Sequence, residues 1–505
     1  MIKFSETLPA LLQVAKGEHT AVIVPESGIR VTYDGLRKQV AAMAAALVGV
    51  GIRHGDRVAI ALPNGLPAIL SFLAATTTGT AAPLNPAYKQ EEFRFFLEDT
   101  AARVLICPSK GADEARRAAA ELKIPVLTVQ MDVDGHVHLL DAPAGHAPSV
   151  PHTKDVALVL HTSGSTGRPK RVPLRHKNLA HSAANIAHTY GLSAHDVSLC
   201  VMPLFHVHGL VASTLATFLS GGTVVLPTRF DALSFWRLVR ENHATWWSGV
   251  PTMFQVLLAR AGNKRPDGAE SLRFMRSCST PISADIIHKM EELFGVPLVE
   301  AYGMTEAAHQ MASNPLPPRL RKPGSVGVPA DVRVSILDGH GKHLHGSDQR
   351  GEVVIRGANV FSGYEGDPKI NEGSFTDGWF RTGDEGYLDE DGYLHLTGRL
   401  KEFINRAGEK ISPREIDAVL LKIPCVSEAV TFGFPHPTFG EEVAAAVVLH
   451  ENQKQTEGSI LKYCREHLAE FKCPKKVFLL DHIPQTATGK VRRNSVATIL
   501  MQATR

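Results

Sequence analysis

The chain has 505 residues, 44% hydrophobic and 21% charged. That is an ordinary globular balance in a chain too long for one core, so two or more domains are expected. With 54 Lys and Arg against 51 Asp and Glu, the formal charge is +3, which excludes a dedicated nucleic-acid binder and makes any anion affinity local. Cys107, Cys200, Cys278, Cys425, Cys464 and Cys473 are scattered with no CxxC pair. They read as buried thiols in a reducing compartment, not as disulfides or a zinc cage.

The opening MIKFSETLPALLQVAKGEH turns polar too soon for a secretory signal. TYDGLRKQVAAMAAALVGVGI carries a helical apolar stripe ended by Gly49 and Gly51. DRVAIALP, ARVLICP and PVLTVQ read as buried strands, and so does VALVLH at 156–161. This strand–helix rhythm implies a largely parallel sheet. The apolar stretches 67–84 and 209–227 contain Thr, Gly or Ser and fall short of a membrane span, so buried helices and strands are expected there. Residues 331–357 alternate in short runs between turn-rich connections, the pattern of a small antiparallel region. Beyond about residue 400 a helix (413–422), two strands (427–433 and 443–449) and a helix (458–470) make a separate small domain. The C-terminal MQATR lacks the Ser-Lys-Leu peroxisomal address, and a cytoplasmic location is expected.

Directly after VALVLH comes HTSGSTGRPKRVPL, 161–174. Thr162, Ser163, Ser165 and Thr166 offer hydroxyls, Gly164 and Gly167 allow close backbone approach, and Arg168 and Lys170 bring positive charge. It is not a P-loop, because Pro169 stands where GxxxxGK needs its second glycine. Composition alone leaves two readings open, a phosphate cradle and a solvated Ser/Gly turn. The order of residues separates them. SGSTGRPK resembles the phosphate-loop motif of the adenylate-forming superfamily of acyl-CoA synthetases, luciferases and peptide-synthetase adenylation domains. PLFHVHG (203–209), EAYGMTE (300–306), WFRTGDEGY (379–387), TGRLKEFINRAGEKISPREID (397–417) and PQTATGKVRR (484–493) match the same family in the expected order.

The resemblance implies an α/β fold: a large N-terminal domain of mixed α/β layers with a small antiparallel β region (1–398), and a small mobile α+β C-terminal domain (399–505) hinged near Lys401. It implies a two-step reaction with ATP, Mg²⁺ and coenzyme A. A carboxylate attacks the α-phosphate to give an acyl-adenylate and pyrophosphate, and a thiol then displaces AMP. Two anions must meet in the first step, so cations and preorganised donors are the main demand.

Carried over motif by motif, the loop residues Thr162 to Gly167 with Lys170 cradle phosphates. Ala301, Tyr302 and Gly303 receive the nucleotide, Tyr302 offering a flat face to adenine. The Thr305 hydroxyl contacts the α-phosphate and the Glu306 carboxylate holds Mg²⁺. Asp384 accepts from the ribose hydroxyls and Arg399 makes a second ribose or phosphate contact. Lys490 bridges the reacting carboxylate and the α-phosphate. Gly408 approaches the pantetheine arm of coenzyme A.

His206 matches the family's histidine gate at the acyl site. On an extended segment, His206 and His208 would share a face, and with no third ligand nearby a metal pair is disfavoured. His208, Ser279 in SCSTPIS, and His309, one helical turn past AYGMTE, bring polar groups to the acyl side. An apolar tail would leave them unpaired at roughly 1–3 kcal/mol each, whereas a small dicarboxylate would satisfy them. VLHTSGSTGRPK, RFMRSCS, EAYGMTEAAHQMASNPLP, KPGSVG and INRAGEKISP resemble the oxalate–CoA ligases, so His208, Ser279 and His309 are expected to hold a distal carboxylate. The competing expectations are another acid (malonic, fatty or aromatic) and a non-catalytic nucleotide-binding paralogue. The paralogue is disfavoured because Lys170, Glu306, Asp384, Arg399 and Lys490 are all present. A peptide-synthetase module is disfavoured because no carrier domain follows Lys490. The expected partners are small molecules, with no nucleic acid and no membrane. Arg171 and Ala407 stand where relatives carry glycine, and Thr280 and Pro281 depart from the oxalate pattern. Arg171 either stiffens the loop or adds a phosphate contact.

Overall fold

The computed structural model describes residues 6–140, 142–143, 145–162, 169–366, 368–407, 409–484, 491 and 493–502. The chain divides into two compact units, Met1–Arg333 with Ile355–Phe380, and Val334–Val354 with Arg381–Arg505.

Two sheets organise the first unit. The seven-stranded sheet runs in the order Val137–Leu140, Val126–Met131, Ala102–Pro108, Arg57–Ile60, Thr80–Pro83, Val156–Thr162, Lys170–Arg175. Its interior pairings are parallel and only the outermost pair at each edge is antiparallel. The apolar runs read as strands are these strands; Arg57–Ile60, Ala102–Pro108 and Val156–Thr162 are buried along most of their length, as strands covered on both faces require, while Val126–Met131, next to the sheet edge, buries only Leu127 and Val129. Before the first of them in the chain comes the helix Tyr33–Gly49, whose N-cap Thr32 accepts from the Gly35 N–H at 3.1 Å. The stretch 67–84 becomes the buried helix Leu66–Thr78 and the strand Thr80–Pro83.

The nine-stranded sheet positions the chemistry. Its centre is a parallel series: Thr223–Val225, Val197–Leu199, Trp246–Gly249, Phe274–Ser277 and Leu298–Met304. Trp247 anchors one face, its ring 4.7 Å from Phe235 and 4.4 Å from Phe254. The carboxyl ends of three adjacent strands bring Ser248, Arg276 and Ala301–Met304 to one end of the sheet, where ligands of open α/β sheets bind.

In the second unit, Val426–His436 and Gly440–Leu449 pair antiparallel over their whole length, and Lys476–Leu480 adds in parallel. Side-chain alternation splits Gly440–Leu449 between two cores. Val443, Ala445 and Val447 face Ile416, Leu420 and Ile460 of the helices Pro413–Leu420 and Glu457–His467. Ala444, Ala446 and Val448 face Val496 and Leu500 of the helix Arg493–Gln502. No helix among the described residues is long and apolar enough to cross a membrane.

Candidate active site

The base of the Ser/Gly loop is closed by strand pairing, Thr162 opposite Lys170. Ser163, Gly164, Ser165, Thr166, Gly167 and Arg168 lie outside the described residues, as do Gly408 and Lys490. Beside that base, the strand Leu298–Met304 ends in a single 3₁₀ turn, Thr305–Ala307, and doubles back as the strand His309–Ser313. Gly303 is required here, because a Cβ on it would lie 2.2 Å from the His309 carbonyl oxygen. Tyr302 and Ala301 are buried in the same strand.

The turn sets the Glu306 carboxylate inside the protein, 6% exposed. Its Oε1 accepts from Tyr364 Oη at 2.9 Å and from Thr162 Oγ1 at 3.4 Å. Lys170 Nζ lies 4.4 Å from the centre of the Tyr364 ring. Asn359 fixes the turn from below, donating to the carbonyls of Ala307 and Gln310 at 2.9 and 3.2 Å. Among the described residues no cation pairs with Glu306, and no cluster of three His, Cys, Asp or Glu exists to cage a metal. A lone buried carboxylate beside hydroxyls suits Mg²⁺, which keeps water and takes its remaining oxygens from phosphate. The sequence reading missed Tyr364, which sits in the turn-rich FSGYEG with nothing local to distinguish it.

Arg171, at the loop base, is engaged in an ion-pair network. Its guanidinium pairs with Asp99 at 3.0 Å and Glu365 at 3.3 Å, and Glu365 also pairs with Arg57.

A second cluster forms at the carboxyl ends of the neighbouring strands. The expectation of an extended PLFHVHG is corrected: the segment turns, and His208 opens eight residues of π-helix, His208–Leu215. Such wide turns recur at functional sites. His206 and His208 therefore do not share a strand face; the His206 ring lies 4.8 Å from that of Phe205. The spacing expected for His309 is corrected too. A hairpin, not a helical turn, carries it, with Ala308 at φ +50° and His309 at φ +117°. Ser279 holds φ +81°. Left-handed backbone at non-glycine residues is strain of the kind concentrated at functional sites.

The three side chains named from the sequence come together. His208 Nδ1 is 3.3 Å from Ser279 Oγ, and the His208 and His309 rings meet edge to face at 5.1 Å. Behind them, and unread in the sequence, are Ser248 and Arg276. Ser248 Oγ is 2.6 Å from His208 Nε2 and accepts from Arg276 Nη1 at 2.9 Å. Burial first, and the Arg276 charge second, hold both imidazoles well below the ordinary histidine range. Within RFMRSCS, Arg276 is the cation inside the buried strand Phe274–Ser277, and that anomaly was the signal available.

In the second unit Asp384 and Arg399 are register partners on antiparallel strands, Trp379–Leu388 and Leu394–Arg399. Arg399 Nε donates to Asp384 Oδ1 at 2.9 Å. Lys401 lies two residues past the end of that strand.

The family profile described as "AMP-binding enzyme" matches residues 12–365, and that of its C-terminal domain matches 415–490. The oxalate–CoA ligase of Arabidopsis thaliana is 45% identical, covering 98% of both chains. That of Saccharomyces cerevisiae is 41% identical over 97% of this chain and 96% of its own. The crystal structure of ATP-bound MatB from Rhodopseudomonas palustris superposes with a TM-score of 0.91 at 31% identity, over 99% of this chain and all of the other. The chain belongs to the AMP-binding enzyme family.

Proposed function

We propose that the protein is an ATP-dependent acid–CoA ligase acting on oxalate through an acyl-adenylate. The observation that carries the acid assignment is the cluster of buried His208 and His309 with half-buried Ser279, a hydrogen-bonding wall backed by the Arg276 cation that suits a second carboxylate rather than an alkyl or aryl tail. Full-length relatives that are oxalate–CoA ligases, 45% and 41% identical, support the same acid.

In the first half-reaction an oxalate oxygen attacks the α-phosphorus and the bond to the β-phosphate breaks, releasing pyrophosphate. Thr162 and the loop that follows hold the phosphates, and the Thr305 hydroxyl donates to the α-phosphate. Glu306 is the residue that would hold Mg²⁺, whose chemistry is to neutralise phosphate charge. Asp384 and Arg399 hold the ribose, and Lys490 brings its ammonium to the two reacting anions. His208, Ser279 and His309 hold the distal carboxylate so that the proximal one is aligned, with His206 at the mouth of the acyl site. In the second half-reaction the coenzyme A sulfur attacks the carbonyl carbon and the bond to AMP breaks, with Gly408 beside the pantetheine. The small domain, hinged near Lys401, moves between the two steps. The near-neutral charge supports small-molecule partners without nucleic acid or membrane, and we place the reaction in the cytoplasm.

The test is a panel of oxalate, malonate, acetate, coumarate and octanoate, assayed for pyrophosphate release with and without coenzyme A. Oxalate is expected to give the highest kcat/KM and a coenzyme A-dependent thioester. Faster turnover of a monocarboxylic chain would overturn the acid assignment.

A further inference from the structure

Arg276 is 0% exposed, and among the described residues no carboxylate pairs with it. Its partners are neutral. Nε donates to Tyr190 Oη at 2.8 Å, Nη1 to Ser248 Oγ at 2.9 Å, and Nη2 to Gln310 Oε1 at 3.1 Å and His309 Nδ1 at 3.4 Å. A buried ion without a counter-charge is costly, and a leucine or methionine on this strand would avoid the cost. The surroundings are built to keep it. Tyr190 is held by Ser313 at 2.8 Å, and Gln310 by Thr189 at 3.0 Å, so the guanidinium plane has one orientation.

That orientation aims two of its donors at the two groups that touch the acyl cluster. An arginine only donates. His309 Nδ1 therefore accepts, and its proton sits on Nε2. Ser248 Oγ, already accepting from Nη1, has His208 Nε2 at 2.6 Å and the Arg276 carbonyl at 3.3 Å. The shorter contact takes the hydroxyl proton, which leaves the His208 proton on Nδ1, the nitrogen facing Ser279. Both histidines are then neutral N–H donors with a full positive charge one layer behind them.

We infer that Arg276 is a positioning and specificity-determining residue: it sets the tautomers of His208 and His309 and supplies the positive field by which the acyl site selects an acid with a second, anionic carboxylate. Arg276 acts through Ser248 and His309, without touching the acid. The inference rests on the reading of His208, Ser279 and His309 as the acyl site.

The experiment compares oxalate with glyoxylate, an acid of the same length whose far end is uncharged, in ATP–pyrophosphate exchange. For Arg276→Gln the oxalate KM is expected to rise at least tenfold. The ATP KM should stay within twofold and glyoxylate kcat/KM within threefold, so that the preference for the dianion collapses. Arg276→Lys is expected to recover part of that preference, and Ser248→Ala to lose part of it. A folded Arg276→Gln enzyme that keeps the wild-type oxalate-to-glyoxylate ratio, or weakens both acids equally, overturns the inference. Should Arg276→Gln fail to fold, ¹⁵N-histidine NMR of the wild-type protein decides. Neutral Nε2–H at His309 and Nδ1–H at His208 support it, and the opposite tautomer or an imidazolium at neutral pH overturns it. A wild-type enzyme with no preference for oxalate over glyoxylate sinks the acid assignment itself, and the inference with it. A preference that survives Arg276→Gln sinks only the role of Arg276.

Discussion

Glu306 and Arg276 are two buried charges of opposite sign, each held by neutral hydrogen bonds and each without an ionic partner among the described residues. A chain retains such groups where a ligand completes them. For Glu306 the proposed partner is the Mg²⁺–phosphate complex. Glu306→Gln keeps the shape and the bond from Tyr364 but removes the charge. It is expected to slow pyrophosphate release by about 10²–10³-fold with little change in thermal midpoint. Lys490→Ala is expected to lose a comparable factor in the same assay, and an unaffected rate would remove that residue from the role given to it. His208, Ser279 and His309 were legible because their motifs are contiguous in the chain. Ser248, Arg276 and Tyr364 were not. Ser248 and Tyr364 are ordinary in their own segments, Arg276 is a cation set in a buried strand, and all three acquire meaning only from what three strands and a distant loop bring beside them.

At the scale of elements, the apolar runs, the helix stripes and the C-terminal α+β pattern predicted what folds, because burial on a sheet or helix face imposes its period on the residues. Two local geometries escaped. PLFHVHG begins a π-helix, and AYGMTEAAH makes a hairpin, because close approaches such as His309 to Gly303 decide the path. The helix His176–Tyr190 carries a pH liability in its first residue. His176 is fully buried, accepts from the Leu8 N–H at 3.2 Å, and is lowered to about 4 by that burial. Between pH 6.5 and about 4 the unfolded chain binds the proton and the folded chain does not. Stability present above pH 6.5 is therefore lost as pH falls, on the order of 3 kcal/mol from this residue. Thermal midpoints measured across this range should fall less steeply for His176→Gln than for the wild type. Parallel slopes would remove His176 as a cause.

At the scale of the molecule, the two half-reactions ask one chain for two arrangements, and Lys401 is the position through which the small domain is proposed to turn. Proline there fixes φ and removes the N–H. Lys401→Pro is expected to leave oxalate-dependent pyrophosphate release within about tenfold of wild type while thioester formation falls roughly 100-fold; equal losses in both assays would argue against a hinge. What the chain by itself determined was its family, its α/β class and the line of motifs proposed to contact phosphate, ribose and coenzyme A, since such groups are recognised by short contiguous segments with fixed residue types. Only the tertiary structure decided how the acid is chosen. Electrostatic selection is set by burial and by neighbours distant in sequence, and Arg276 means nothing until Tyr190, Ser248, His309 and Gln310 surround it without a single negative charge.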